Sequence, residues 1–172
     1  DGDGVDVEGA GQLLPQALSG AIRARARSLG VSAASVFHLA WALVLARTAS
    51  RADVVFGTVL FGRMQGGESA DRVLGMFINT LPLRLDLSEG SARAVVEHTH
   101  RELIDLLRHE QASLALAQRC SGVSANGGIA PLFSAVLNYR HTAPTQQAAY
   151  LGIEVLASQE RTNYPFVMSV DD

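Results

Sequence analysis

Residues 33–48 form the segment that most constrains the fold, because they predict a helix with apolar side chains on nearly every side. Ser32 stands directly before this segment and is a favourable N-cap. A helix of this kind must be buried over most of its surface, so other parts of the chain have to pack around it in layers. We expect Trp41 to lie in the core and His38 to be a core or rim histidine rather than a catalytic base.

Two further segments predict helices with a polar side. Pro15 suits a first helical turn, and apolar residues follow it at helical spacing as far as Gly30, where we expect the helix to stop. Residues 91–110 form an amphipathic pattern, with Glu97 and Arg101 as an i,i+4 pair on the polar side. The apolar face of this third helix contains Val96, Thr99, Leu103, Leu106 and Leu107.

Several segments predict strands. Residues 53–61 are β-branched and aromatic, and Gly57 among them indicates a bulge or a close approach of another group to the backbone. Residues 75–87 predict extended segments, in which Pro82 favours a sheet edge or a break. Further strands are predicted at 132–138, 153–156 and 166–170. The order of two helices, strands, a helix and more strands predicts a layered α/β architecture.

The charge and cysteine content exclude several classes of function. The 172 residues have a formal net charge of −3, which provides no basic surface for a nucleic acid. All 14 basic residues are arginine, so a lysine Schiff base is excluded. Cys120 is the single cysteine and can form no internal disulfide. The longest apolar run is too short to span a membrane, and we expect a cytoplasmic protein.

The histidines of the third predicted helix do not suit a metal site. His98 and His100 flank Thr99, and on a helix their imidazoles point about 200° apart. We therefore expect no metal, with His98 in solvent and His100 near the buried edge of the helix. Taken by themselves, the residues indicate an α/β domain without a self-contained catalytic set.

Five motifs in order resemble those of a known family. Residues 74–84, LGMFINTLPLR, closely resemble the G-x-F-x-N-T-x-x-x-R motif of condensation domains from non-ribosomal peptide synthetases. The other four are a strand ending in Gly-Arg at 54–63, an H-x-x-x-P segment at 109–113 with Ser113 in place of Pro, a P-L-F…N-Y-R stretch at 131–140, and Thr-Asn-Tyr-Pro at 162–165. The resemblance covers about residues 30–170. The chain is similar to the C-terminal part of a condensation domain.

The resemblance implies a fold and a reaction. Such domains have two chloramphenicol acetyltransferase-like lobes with a channel between them, so residues 13–172 are expected to be an incomplete C-terminal lobe after a loop or linker at 1–12. The amine of one carrier-bound substrate attacks the thioester of the other and forms an amide. The family's H-H-x-x-x-D-G motif lies in the first lobe, and these 172 residues contain no two adjacent histidines. We therefore expect the chain alone to be inactive and to expose a broad apolar face.

The same resemblance implies partners and site residues. Donor and acceptor peptidyl carrier domains present phosphopantetheine-bound substrates, and an adjacent adenylation domain and the N-terminal lobe are further partners; no cofactor is expected to bind directly. The residues expected at the substrate channel are Asn79, Thr80, Gly57, Gly62, Arg63 and Arg84. Asn79 either positions substrate or caps an irregular turn of the backbone. Arg63 and Arg84 would brace loops through bidentate contacts with carboxylates, and Gly57 and Gly62 would let the backbone approach the pantetheine arm.

Three alternatives remain open at this point. The chain could belong to another CoA- or carrier-dependent acyltransferase of the same fold. It could also be a non-catalytic module that docks carrier proteins, or a free-standing small α/β domain. The residues upstream, and an intact H-H-x-x-x-D-G motif among them, would separate these possibilities.

Overall fold

The predicted α/β architecture is confirmed by the computed structural model, which describes residues 8–61, 77–123, 131–141 and 162–172. The elements in this part of the chain are α1 (Gln16–Leu29), α2 (Ala33–Ala49), β1 (Asp53–Leu60), β2 (Asn79–Asp86), α3 (Ala92–Leu107), α4 (Leu114–Cys120), β3 (Ala135–Arg140) and β4 (Phe166–Asp171). The strands form one sheet in the order β2-β1-β3-β4. β1 pairs antiparallel with β2 and parallel with β3, and β4 pairs parallel with β3.

The first two helices begin and end at the residues that local chemistry favours. Pro15 is the N-cap residue of α1, and Gly30 ends the helix in the left-handed region, with φ 68°. Ser32 caps α2, where its side chain accepts a hydrogen bond of 3.2 Å from the backbone N–H of Ser35. A single residue, Val31, therefore separates the left-handed stop of one helix from the cap of the next.

The hydrophobic core lies between the sheet and helices α2 and α3. Alternate residues of each strand face the helices, so the period of two places one apolar set on the buried side. The fully or nearly buried members of this cluster are Trp41, Ala42, Val54, Phe56, Leu83, Leu85, Leu103, Ala135 and Leu137. Each large side chain removed from water here contributes about 1.5–3 kcal/mol of stabilisation. The prediction that Trp41 is a core residue is confirmed, and its ring lies against that of Phe166, with centroids 4.7 Å apart.

The burial of α2 is less complete than its composition predicts. The first half of the helix is buried, but Leu43 and Val44 near its end remain 49% and 43% exposed. The sheet covers one side of the helix and α3 covers part of another, which leaves this apolar side of α2 on the surface of the described residues. No single helix among these residues is long and apolar enough to cross a membrane, and α1 and α2 taken together are bent by 107° at their break.

Helix α3 and the segment after it differ from the prediction in two details. The N-cap is Ser91, and Thr99 and Leu103 are buried on the predicted face. The ion pair on the polar side, however, joins Glu97 to Arg93 at 2.7 Å, so the predicted pairing with Arg101 is wrong. Both spacings satisfy the i,i+4 rule, and the sequence alone gives no reason to choose between them. Helix α4 was not predicted, because its seven residues are too few to show a clear period.

The other face of the sheet carries an aromatic ring directly over Gly57. A Cβ atom added to Gly57 would lie 2.9 Å from Cζ of Phe133 and 2.9 Å from Cγ2 of Thr80. The pairing of β1 with β2 is regular along all eight residues, so the predicted bulge is absent and the predicted close approach is confirmed. Phe133 in turn stacks on Tyr164, with ring centroids 5.5 Å apart.

Replacing Gly57 by Ala should destabilise the protein by about 1–3 kcal/mol, because the new methyl group overlaps the ring of Phe133. Gly20, inside α1, has no atom within 4 Å of an added Cβ, and its replacement by Ala should stabilise the helix by up to about 1 kcal/mol. Urea unfolding of the two variants measures both effects. An unchanged midpoint for the Gly57 variant would mean that Phe133 does not need this space.

Candidate functional site

The carboxamide of Asn79 joins the start of β2 to the turn between α3 and α4. Its Nδ2 donates hydrogen bonds to the backbone carbonyl oxygens of Glu110, at 2.8 Å, and Ala112, at 2.7 Å. Its Oδ1 accepts a hydrogen bond of 3.0 Å from the backbone N–H of Thr80. A carboxamide has two N–H donors, and these contacts use both of them.

These contacts bring together two of the family-like motifs. The hydrogen-bonded residues are 31 and 33 positions apart in sequence. Asn79 belongs to the Asn-Thr motif, and its two acceptors lie within the segment 109–113. Exchanging the oxygen and nitrogen of the amide would set its oxygen against two carbonyl oxygens, so the partners fix its orientation. Of the two roles left open by the sequence, the side chain makes the contacts of a turn cap, and a role in positioning substrate stays a prediction.

Three of the other predicted channel residues, Thr80, Gly57 and Arg84, lie on the strand pair β1 and β2. The side chain of Thr80 contacts the space over Gly57, and that space holds the ring of Phe133. The approach of a pantetheine arm to Gly57 therefore stays a prediction, with a ring of this chain already beside the glycine. Gly62 and Arg63, like the predicted strand at 153–156, lie outside the described residues.

Arg84 makes the bidentate contact with a carboxylate that its residue type favours. Its Nε and one terminal nitrogen donate to the two carboxylate oxygens of Asp53, at 2.9 and 2.8 Å. The hydrogen bond from Arg84 holds the pKa of Asp53 below its usual value, and the same contact raises the pKa of Arg84. Both residues are exposed, and the pair joins β1 to β2 rather than bracing a loop.

A buried hydrogen-bonded pair connects α2 to the middle of β1. His38 is 4% exposed and Thr58 1% exposed, and Nε2 of His38 lies 2.6 Å from Oγ1 of Thr58. Nδ1 of His38 lies 2.7 Å from the carbonyl oxygen of Ala34, which can only accept, so Nδ1 carries the proton. Nε2 is then the acceptor and the Thr58 hydroxyl the donor. The prediction of a satisfied core histidine is confirmed, and burial lowers the pKa of His38 to about 4.

A second polar chain connects α2 to α3. Oγ of Ser35, which is completely buried, lies 2.8 Å from Oγ of Ser32 and 2.9 Å from Nδ1 of His100. A serine–histidine pair can activate a nucleophile, but Ser35 is inaccessible to a substrate. The pair therefore fixes the crossing of the two helices. No local pattern indicates this pair, because 65 residues separate its members in sequence.

The end of the described chain forms a cluster of charged groups. The carboxylate of Asp172 accepts hydrogen bonds from Arg23 of α1 and from the hydroxyl of Tyr139 on β3. Burial and the hydrogen bond to Asp172 raise the pKa of Tyr139. Arg140 makes a bidentate contact with Asp171, at 2.7 and 3.1 Å, across β3 and β4. These contacts connect residues of the N-Y-R stretch to the edge of the sheet.

The described ranges contain no group of three His, Cys, Asp or Glu residues that could hold a metal ion. His98 pairs with Glu102 at 3.6 Å, whereas His100 faces Ser35, so the two imidazoles have separate partners. Cys120 is exposed at the end of α4.

Comparison with known sequences matches this chain to condensation domains and to synthetases. A family model described as the condensation domain matches residues 10–172. Malpibaldin synthetase and malpinin synthetase of Mortierella alpina are 55% and 54% identical to this chain over 99% of its length. Chondramide synthase of Chondromyces crocatus is 30% identical over 88% of it. The chain spans 3%, 2% and 4% of these three proteins, respectively.

Comparison with solved structures supports the same fold. The condensation domain of the monacolin K polyketide synthase MokA has a TM-score of 0.72 and 24% identity, over 92% of this chain and 37% of that one. The first condensation domain of the CDA synthetase has a TM-score of 0.60 and 28% identity, over 75% of this chain and 29% of that one. The chain thus corresponds to about a third of such structures.

The buried histidine predicts a pH dependence of stability. His38 titrates at about 4 when folded and at about 6.5 when unfolded, so the unfolded state binds more protons between these values. The free energy of unfolding should therefore fall by about 3 kcal/mol as the pH is lowered from 6.5 to 4. The variant His38→Gln should lack this slope, although it is less stable at neutral pH.

Urea unfolding of both proteins at several pH values measures the two slopes. The hydrogen-bonded carboxylates of Asp53 and Asp86 also have lowered pKa values, but their contributions are lost below about pH 3.8, outside the window. Equal slopes for the native chain and His38→Gln would show that this histidine is not the titrating group.

Proposed function

We infer the function of this chain from the fact that it belongs to the condensation domain family of non-ribosomal peptide synthetases. Its described residues form part of the chloramphenicol acetyltransferase-like fold that such domains share. We propose that it contributes to the formation of an amide bond between two carrier-bound substrates. The observation that carries the proposal is the family match across residues 10–172, within which the Asn79 motif and the segment 109–113 are physically joined.

The proposed reaction requires little covalent chemistry from these residues. The amine of the acceptor attacks the thioester carbon of the donor, the C–N bond forms, the thiolate of the donor's pantetheine leaves, and the amine gives up one proton. The tetrahedral species carries developing charge, which fixed hydrogen-bond donors and dipoles stabilise. A histidine base, where one is used, would come from the family's H-H-x-x-x-D-G motif, and these 172 residues contain no two adjacent histidines.

The contribution of this chain is then structural support for one side of the substrate channel. Asn79 and Thr80 start β2, beside Leu60 at the end of β1, and we place the channel wall at this end of the strand pair. Gly57 and Arg84 lie further along the same strands and keep them close and in register. Gly62 and Arg63 directly follow β1 in sequence and remain predicted members of the wall.

The proposed partners follow from the same family membership. Donor and acceptor carrier domains would deliver phosphopantetheine-bound substrates, and an adenylation domain would load one of them. A four-domain non-ribosomal peptide synthetase, solved with AMP and glycine, matches this fold with a TM-score of 0.68 at 16% identity. We also propose a cytoplasmic location, where carrier domains are loaded.

The isolated 172-residue chain should form no amide when it is mixed with donor and acceptor carrier domains that bear their substrates. The reason is that the sequence contains no two adjacent histidines, which the family's H-H-x-x-x-D-G motif requires. The synthetase that contains this chain should form the amide under the same conditions. Mass spectrometry of the carrier-bound products measures both reactions.

Two outcomes would contradict this proposal. Amide formation by the isolated chain would show that the catalytic groups lie within it. A folded synthetase that loads both carriers but joins no substrates at this domain would show instead that the domain is a docking module.

A further inference from the structure

We propose that Asn79 is a positioning residue, which acts on condensation by fixing the α3–α4 turn and helix α4 against β2, without binding the substrate itself. The inference rests on the proposed function, because it assigns the means by which one motif of that site works. It starts from the hydrogen-bonding capacity of one side chain.

The strong hydrogen-bonding groups of Asn79 are directed at the backbone of this chain. Both N–H donors point to carbonyl oxygens of the turn, 2.8 and 2.7 Å away at Glu110 and Ala112, and Oδ1 accepts from Thr80. To donate to a substrate, the amide would have to release one of these carbonyls. A part-buried carbonyl left without its donor costs about 1–3 kcal/mol, which makes such an exchange unfavourable.

Two backbone N–H groups of the turn that Asn79 holds donate to carbonyl oxygens of the same stretch of chain. Its own backbone bonds are local, from Glu110 to Leu107 at 3.2 Å and from Ala112 to His109 at 2.7 Å. The carbonyl oxygens of Glu110 and Ala112 accept from the side chain of Asn79, which joins this turn to the start of β2. The side chain of Glu110 is 1% exposed, so the turn is also packed inward at this point.

Helix α4 depends on that turn for its position. It has seven residues, none of them buried, and its N-cap is Ser113, whose Oγ accepts from the N–H of Leu116 at 3.2 Å. A helix this short gains little stability of its own. It packs against β2, the strand that Asn79 begins. Fixing the turn at Glu110 and Ala112 therefore fixes where α4 begins.

A double-mutant cycle in the complete synthetase tests the proposal. The variants Asn79→Ala and Ser113→Ala weaken the same element, one through the turn and one through the cap. Each should lower kcat for condensation, Asn79→Ala by on the order of tenfold to a hundredfold, with little change in KM for either carrier-bound substrate. The double variant should be no slower than about the slower single variant, because the element is displaced already.

Two further variants separate positioning from contact with substrate. Asn79→Asp keeps the shape and the acceptor for Thr80, but it sets a carboxylate against two carbonyl oxygens and should be at least as slow as Asn79→Ala. Arg93→Ala, which removes an exposed ion pair on α3, is the matched control and should leave kcat unchanged. Multiplying rate effects in the double variant, or near-native activity of Asn79→Asp, would overturn the proposal.

Amide hydrogen exchange, followed by mass spectrometry of peptides from the same proteins, provides a readout independent of turnover. Asn79→Ala should speed exchange in residues 110–120 at least tenfold and leave β1 and β3 protected. If protection of the whole sheet is lost, Asn79→Ser, which retains a donor, is used in its place. An unchanged exchange rate of residues 110–120 in Asn79→Ala would refute the positioning role. If the native synthetase forms no amide although its residues 110–120 are protected from exchange, only the proposed reaction is refuted.

Discussion

The packing of α2 against β1 is the interaction on which the rest of the structure depends. β1 lies between β2 and β3 in the sheet, and its alternate residues Val54, Phe56 and Thr58 face the helix. Phe56 is fully buried in this layer beside Trp41 and Ala42. Burial of a polar group at the same depth is unfavourable unless it is hydrogen-bonded, and His38 and Thr58 satisfy each other there. The apolar packing and the polar pair therefore fix the same register of helix on strand.

The strand pair β1 and β2 organises the candidate site through contacts on both of its faces. Gly57 leaves room for the ring of Phe133, and Asn79 reaches from the end of β2 to the α3–α4 turn. Both contacts connect segments that are far apart in sequence, and both occur where family-like motifs lie. In this region, motif residues that resemble a substrate site are engaged mainly with the chain's own backbone and rings. This arrangement is typical of a site whose precision comes from supporting contacts.

The differences between expectation and structure have simple physical causes. The end of α2 is exposed although its composition predicts burial, since one sheet and one helix can cover only part of a cylinder. The polar pair on α3 joins Glu97 to Arg93 and not to Arg101, because both partners lie four residues away and only side-chain packing selects one. The sequence does not predict helix α4, because a seven-residue helix is stabilised by its cap and by packing against its neighbours more than by a periodic pattern.

The sequence by itself determined the α/β class, helices α1 to α3, the caps at Ser32 and Gly30, the strand that begins at Asp53 and the family to which the chain belongs. These features depend on local chemistry and on periods of two and 3.6 residues, which are visible in a single chain. Only the tertiary structure decided the strand order, the partner of His38 and the two carbonyl oxygens held by Asn79. Such contacts join residues 20 or more positions apart, and no local pattern records which distant backbone will meet a given side chain.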